Sequence, residues 1–102
     1  TGTPTNDQTE GSYLSQNFPE TPIFATKAYT GHTLGAAGAL EAIWGVLCME
    51  HDFIPATLGH TNPDPSIQLI PNLKVRDYKT NTYLSTSLGF GGSNAALLLG
   101  RC

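Results

Sequence analysis

The clearest periodic pattern of apolar residues lies in the middle of the chain, between Thr33 and His51. Apolar side chains recur there at spacings of three and four, as in a helix with one wide apolar face. We therefore predict a helix over 33–51, with Thr33 as its N-cap and Cys48 in the core. Its glycines each cost about 1 kcal/mol relative to alanine, so we expect another backbone to approach closely. The apolar positions are Leu34, Ala37, Leu40, Ile43, Trp44 and Leu47, and the glycines are Gly35, Gly38 and Gly45.

The C-terminal part of the chain predicts two strands joined by a glycine turn. Residues 82–87 alternate in the manner of a strand, and residues 94–100 (NAALLLG) form a near-continuous apolar run. Such a run fits a strand that is buried on both faces. The glycine-rich segment 89–93 between them predicts a tight turn.

The other segments give weaker signals. Residues 1–21 are polar and predict a loop with at most one helical turn, near 9–14. Short extended segments are predicted at 22–27, 67–70 and 73–78.

Charge and size exclude several classes of function. The chain has 102 residues, five of them Lys or Arg, and a net charge of −3. Without a basic patch it is not expected to bind nucleic acid. Its longest apolar segment, 34–49, contains Glu41 and falls short of the roughly 20 residues that a membrane span needs. Charged residues make up 13% of the chain, about half the usual share, so we expect a partner or another part of the polypeptide to cover some of its surface.

The two cysteines, Cys48 and Cys102, show neither metal-ligand spacing nor a disulfide framework. We therefore expect no metal site. The N-terminal segment TGTPTNDQTEG has no secretory pattern. The reducing cytoplasm is the compartment that fits these features best.

The segment 27–38, KAYTGHTLGAAG, holds the first candidate chemistry. His32 is predicted at a helix N-terminus, where the partial positive charge favours neutral imidazole. Neutral imidazole in a fixed tautomer can donate a hydrogen bond to a developing negative oxygen. Lys27 could add positive charge nearby, with Glu41 as its counter-charge. The alternative is that His32 is an ordinary surface or core histidine and Lys27 a solvated charge.

The glycine turn is the second candidate. Backbone N–H groups around Gly89, Gly91 and Gly92 can form an oxyanion hole, with Phe90 as a mobile apolar plug. The alternative is a hairpin turn with Phe90 as a core anchor.

Four segments in this order carry a specific resemblance. They are GTPTNDQTE, KAYTGHTLGAAGALEA, PATLGHTNPDP and SLGFGGSNAALLL. Together they resemble the C-terminal half of the β-ketoacyl-[acyl-carrier-protein] synthases, the condensing enzymes of fatty acid and polyketide synthesis. The resemblance covers nearly the whole chain and is loosest at residues 11–21.

The resemblance implies a role for each matching residue. His32 matches the second histidine of a Cys-His-His triad, which donates a hydrogen bond to the malonyl thioester carbonyl and stabilises the enolate. Lys27 and Glu41 match the lysine and the acidic residue that support this site. Phe90 matches a gating phenylalanine whose backbone N–H contributes to the oxyanion hole. Asn94, after the glycine turn, is expected to be structural.

The resemblance also implies substrates and partners. Thr1 and Thr3 match threonines that bind the phosphopantetheine arm of the acyl carrier protein. No cofactor of the enzyme's own is needed, because the carrier protein brings that arm. The full enzyme is expected to be a homodimer.

The resemblance implies an α/β fold of the thiolase-like type, with αβαβα layers. Residues 1–102 would be its C-terminal half, with a mixed sheet and a central helix. The nucleophilic Cys and the first catalytic His belong to the N-terminal half and are absent from this sequence. We therefore expect a fragment that is inactive alone. One alternative is a chain-length factor, a partner of an active synthase that itself lacks the nucleophile. The other is an unrelated binding domain.

Overall fold

The computed structural model describes residues 1–102. Residues 1–31 and 56–74 form a first compact unit, and residues 32–55 and 75–102 a second. No helix has the length and apolar character needed to cross a membrane. The helices are α1 (Pro4–Asn17), α2 (Lys27–Thr30) and α3 (Ala37–Glu50); the strands are β1 (Phe53–Ile54), β2 (Arg76–Asp77), β3 (Thr82–Leu88) and β4 (Asn94–Gly100).

The N-terminal segment is helical, so the prediction of a loop there was wrong. Helix α1 begins with proline in its first turn, where the missing N–H costs nothing, and Asp7 lies near its positive end. Its residues are mostly polar, and therefore they lack the apolar period from which a helix is inferred. The helix packs through Gly11, where an added Cβ would lie 2.7 Å from a methyl carbon of Ile67.

The segments 22–27 and 67–70 of the first unit are not strands, contrary to prediction. Single hydrogen bonds, rather than a ladder, hold the first of them. The backbone N–H of Asn72 donates to the carbonyl of Ile23 at 2.6 Å, and that of Ala25 donates to the Thr57 hydroxyl at 3.2 Å. Among residues 22–27 only Thr26 is buried.

In the second unit, the predicted central helix is present but begins later than expected. A 3-10 turn at Leu34–Ala36 precedes α3, whose N-cap is Ala36. The Thr33 side chain makes no capping hydrogen bond, so the predicted cap was wrong. Cys48 is buried, as predicted.

Helix α3 turns its glycines, rather than its large apolar residues, toward the sheet. A Cβ at Gly45 would overlap the ring of Tyr83 on β3, and one at Gly38 would lie 3.4 Å from the Ser87 hydroxyl. The expected close neighbour is therefore a side chain and not a backbone. The predicted apolar face is only partly covered: Leu34, Ile43 and Leu47 are exposed, whereas Ala37, Leu40 and Trp44 are half-buried.

Strands β3 and β4 form the predicted hairpin, paired antiparallel from Thr82 opposite Gly100 to Leu88 opposite Asn94. Strands β1 and β2 form a second antiparallel pair, and β2 is all that forms of the extended segment predicted at 73–78. No parallel pair is present, so a mixed sheet does not form within residues 1–102. The prediction that β4 is buried on both faces was also wrong, because no element of this unit covers its outer face; Leu98 is 69% exposed.

Candidate active site

His32 follows Gly31, a residue with a positive φ of 71°. The imidazole is exposed, and its Nδ1 accepts a hydrogen bond of 3.1 Å from the backbone N–H of Leu34. Because Nδ1 is the acceptor, the proton of the neutral ring lies on Nε2. The ring therefore presents an N–H donor on the side away from its own backbone.

The backbone beside His32 is unusual. Leu34 has a φ of 53°, in the left-handed region that β-carbon-bearing residues seldom adopt. Its side chain is exposed, so burial of the side chain does not offset the cost of this backbone conformation. Such strain persists where the surrounding structure imposes it, often at functional sites. The backbone N–H of this same residue donates to the His32 ring.

The glycine turn between β3 and β4 depends on glycine at two positions. Gly91 and Gly92 have φ of 79° and 81°. The backbone N–H of Gly89 donates to the Ser93 carbonyl at 3.1 Å and to the Asn94 side-chain oxygen at 3.3 Å. Asn94 therefore has the structural role that was predicted for it.

Phe90 sits at the tip of this turn and is fully exposed. The alternative prediction was a hairpin turn with Phe90 as a core anchor. The hairpin turn is present, but Phe90 is not in the core. The plug interpretation of Phe90 stays a prediction.

Glu41 is half-buried on α3, and it lies close enough to Tyr83 for its negative charge to act on the phenol. The pKa of Tyr83 rises to about 12, first through burial and then through Cys48 and Glu41. Burial likewise raises the pKa of Cys48 to about 11. Both groups are therefore neutral near pH 7.

The first unit carries the other candidates. Lys27 is half-buried and opens α2, which is held in place where the Tyr29 hydroxyl donates to the Ala56 carbonyl at 2.7 Å. The hydroxyls of Thr1 and Thr3 are exposed and lie 3.3 Å apart. Thr3 does not use its hydroxyl to cap α1, so the two form an adjacent pair of hydrogen-bonding groups.

The structure thus places His32, Glu41, Phe90 and the glycine turn in the second unit, and Thr1, Thr3 and Lys27 in the first. No three His, Cys, Asp or Glu side chains lie together as a metal site would require. Sequence reasoning missed Tyr83. The signal for it was Gly45, because a glycine within a helix can mark a place where a bulky side chain packs against the helix backbone.

Comparison with known proteins decides the family. The model of the β-ketoacyl synthase C-terminal domain matches residues 1–61. This chain belongs to the β-ketoacyl synthase family. The predicted resemblance is confirmed, and the α/β structure of this β-ketoacyl synthase chain agrees with that family.

Similar proteins include synthases of two pathways. The chain is 39% identical to 3-oxoacyl-[acyl-carrier-protein] synthase 2 of Coxiella burnetii, over 99% of this chain and 26% of that protein. It is 38% identical to the tetracenomycin polyketide synthase ketoacyl synthase alpha subunit of Streptomyces glaucescens, over 98% of this chain and 25% of that protein.

A solved structure of the ishigamide ketosynthase/chain length factor is also similar. It matches with a TM-score of 0.87 and 36% identity, over 100% of this chain and 26% of that one. This β-ketoacyl synthase chain therefore spans about a quarter of the length of the proteins it matches.

Proposed function

We propose that the chain is the C-terminal part of a 3-oxoacyl-[acyl-carrier-protein] synthase that extends an acyl chain by decarboxylative Claisen condensation. The relatives named above support the reaction class. The upstream part of the polypeptide would supply the nucleophilic cysteine and the first histidine. The 102-residue chain alone would then be inactive, and acyl transfer by the purified chain would refute that statement.

The observation that carries the proposal is the hydrogen bond from the Leu34 N–H to Nδ1 of His32. It leaves Nε2–H to donate to the thioester oxygen of a malonyl group. The bond from the α-carbon to the carboxylate breaks, CO₂ leaves, and the electron pair becomes an enolate with its charge on that oxygen. A preorganised donor at such an oxygen contributes roughly 10²–10³ in rate.

The enolate carbon then attacks the acyl thioester on the upstream cysteine. A carbon–carbon bond forms and the cysteine thiolate leaves. In this step the Phe90 backbone N–H, held by Gly89, Gly91 and Gly92, would stabilise the oxyanion. Lys27 and Glu41 would supply the surrounding charge.

Substrate delivery would fall to the carrier protein. Its phosphopantetheine arm would lie along the paired hydroxyls of Thr1 and Thr3, whose 3.3 Å separation gives two adjacent hydrogen-bonding groups for one amide of the arm. The enzyme would need no cofactor of its own. A homodimer located in the cytoplasm is part of the same proposal.

The thiolase-like layering belongs to the proposal as well. The exposed apolar residues of α3 and β4 supply a surface for further layers. Within a full αβαβα arrangement, α3 would lie between its own hairpin and the sheet of the N-terminal half.

The test uses the full-length protein and malonyl-carrier protein, with release of CO₂ as the readout. We expect His32→Ala to lower decarboxylation roughly 10²–10³-fold. The matched control is His51→Ala, because His51 is an exposed histidine at the far end of α3. Equal activity of the two variants would refute the role of His32.

The chain-length-factor alternative is distinguished by the upstream residue at the nucleophile position. Peptide sequencing of the natural product identifies it. A cysteine there supports the condensing enzyme, whereas another residue supports the partner role. The retained His32, Lys27 and Phe90 favour the enzyme, because a partner without chemistry has no use for them.

A further inference from the structure

The contact surface between α3 and β3 is built from small and polar side chains. Gly38, Glu41 and Gly45 follow each other at spacings of three and four, so they share one face of α3. Alternate residues of β3 share one face of that strand. On the facing side of β3 these are Tyr83, Ser85 and Ser87, of which Ser85 is buried.

Tyr83 is the only large side chain among these six residues. An added Cβ at Gly45 would overlap its ring, so ring and helix backbone are already in contact. The second contact, between Gly38 and Ser87, lies about two turns earlier on the helix. Glu41 lies between these two points and acts electrostatically on the Tyr83 phenol.

We infer that Tyr83 is a positioning residue for the proposed condensation: its ring against Gly45 sets the spacing between α3 and β3. Helix α3 carries Glu41 and follows His32, while β3 leads into the turn that holds Phe90. The ring therefore fixes the positions of His32 and Glu41 relative to that of Phe90. The inference rests on the proposed function.

The size of the ring determines the expected effect. Removing the ring takes away the atoms that contact the helix backbone and opens a gap, which α3 can close in part by moving toward β3. A misplacement of about 1 Å at a site of chemistry can cost roughly 10²-fold in rate. Because the shift moves groups that act on the reacting atoms, the effect falls on kcat rather than KM.

The experiment measures malonyl decarboxylation by the full-length protein, with kcat and KM determined separately. Thermal melting and the stoichiometry of acyl loading report the folded fraction. The variants are Tyr83→Ala, Tyr83→Phe and Gly45→Ala, with the double variant Gly45→Ala/Tyr83→Val. Tyr78→Ala is the matched control, since Tyr78 is a half-exposed tyrosine of the same unit that packs near Arg76 instead.

We expect Tyr83→Ala and Gly45→Ala to lower kcat by about 10–100-fold per folded molecule, with KM within about twofold. Tyr83→Phe keeps the ring and should retain kcat, as should Tyr78→Ala. The double variant should recover most of the loss, since the smaller side chain makes room for the added methyl group.

Two outcomes overturn the inference. In the first, Tyr83→Ala lowers activity only in proportion to the folded fraction, which shows a packing role alone. In the second, the double variant is no better than Gly45→Ala, so spacing is not what the ring controls. If the wild-type protein releases no CO₂, both the proposed function and this inference are refuted. If the wild-type protein is active and the Tyr83 variants are as active as it, only this inference is refuted.

Discussion

The glycine turn gives the sharpest test of how the backbone holds Phe90. At Gly91 the positive φ of 79° lies in the left-handed region, where a β-carbon costs about 1–2 kcal/mol. A Cβ built there meets no atom within 4 Å, so the cost of alanine is conformational and not steric. We expect Gly91→Ala to lower the free energy of unfolding by about 1–2 kcal/mol.

The same substitution should also slow the reaction. When the turn relaxes to a negative φ, the neighbouring Phe90 backbone N–H moves away from its place. Complete loss of an oxyanion donor costs roughly 10²–10³ in rate, so a displaced donor should slow acyl loading by about tenfold. Urea unfolding of the 102-residue chain measures the first effect, and acyl loading of the full-length protein measures the second.

Two comparisons isolate the cause. Gly35→Ala adds the same methyl group into open space at a position without a positive φ, and it should be neutral or stabilising by up to about 1 kcal/mol. Gly91→Asn should recover part of the loss, since asparagine tolerates the left-handed conformation. If Gly91→Ala unfolds like Gly35→Ala and loads acyl groups at the wild-type rate, the reasoning is refuted.

Two further predictions concern ionisable groups. Burial raises the pKa of Cys48 to about 11. In the native chain a thiol-alkylating reagent at pH 8 should therefore label exposed Cys102 well before Cys48, and unfolding in guanidinium should abolish the difference. Equal labelling rates in the native chain would contradict the burial of Cys48. A hydrogen bond from Arg101, 2.8 Å long, holds the pKa of Asp52 below its usual value. This contribution to stability is present above the unfolded-state pKa of about 4 and is lost as the pH falls through the lower folded-state pKa. Arg101→Met should therefore lower the melting temperature slightly at pH 7 and not at pH 2. An equal loss at both pH values would show that packing of the Arg101 methylene groups matters instead.

The parts of the fold that the sequence predicted are those with a strong local signal. The hairpin was predicted from the alternation at 82–87 and the glycines that follow it, because both reflect backbone geometry within a few residues. The core position of Cys48 followed from helical periodicity. Helix α1 was missed because it is polar throughout, and what begins it is Pro4 rather than an apolar face.

The contacts of the central helix could not be predicted from its own residues. Periodicity shows that apolar residues share a face, but not which face meets the neighbouring strand. Here the small residues Gly38 and Gly45 face β3, and Ile43 and Leu47 face outward. That choice depends on Tyr83, almost forty residues away in the sequence.

The site was partly predictable for a similar reason. His32 and the glycine turn were identified from local motifs, and the structure adds the hydrogen bond to Nδ1 that defines the tautomer. The expectation that Thr33 caps the helix failed: the Ala36 N–H donates to the Thr33 carbonyl, and the Thr33 hydroxyl makes no capping hydrogen bond. The backbone angles at Leu34, with a positive φ of 53°, are not revealed by any residue pattern.

The contact between Gly45 and Tyr83 also limits how segments of this protein can be exchanged with those of its relatives. A transplanted helix with any side chain at position 45 would meet the ring of Tyr83, and a transplanted hairpin with a small residue at position 83 would leave a gap above Gly45. Helix α3 and strand β3 therefore form one exchangeable module, although residues 51–81 lie between them in the sequence. Crossover points for chimeric synthases should therefore leave Gly45 and Tyr83 in a segment taken from one parent.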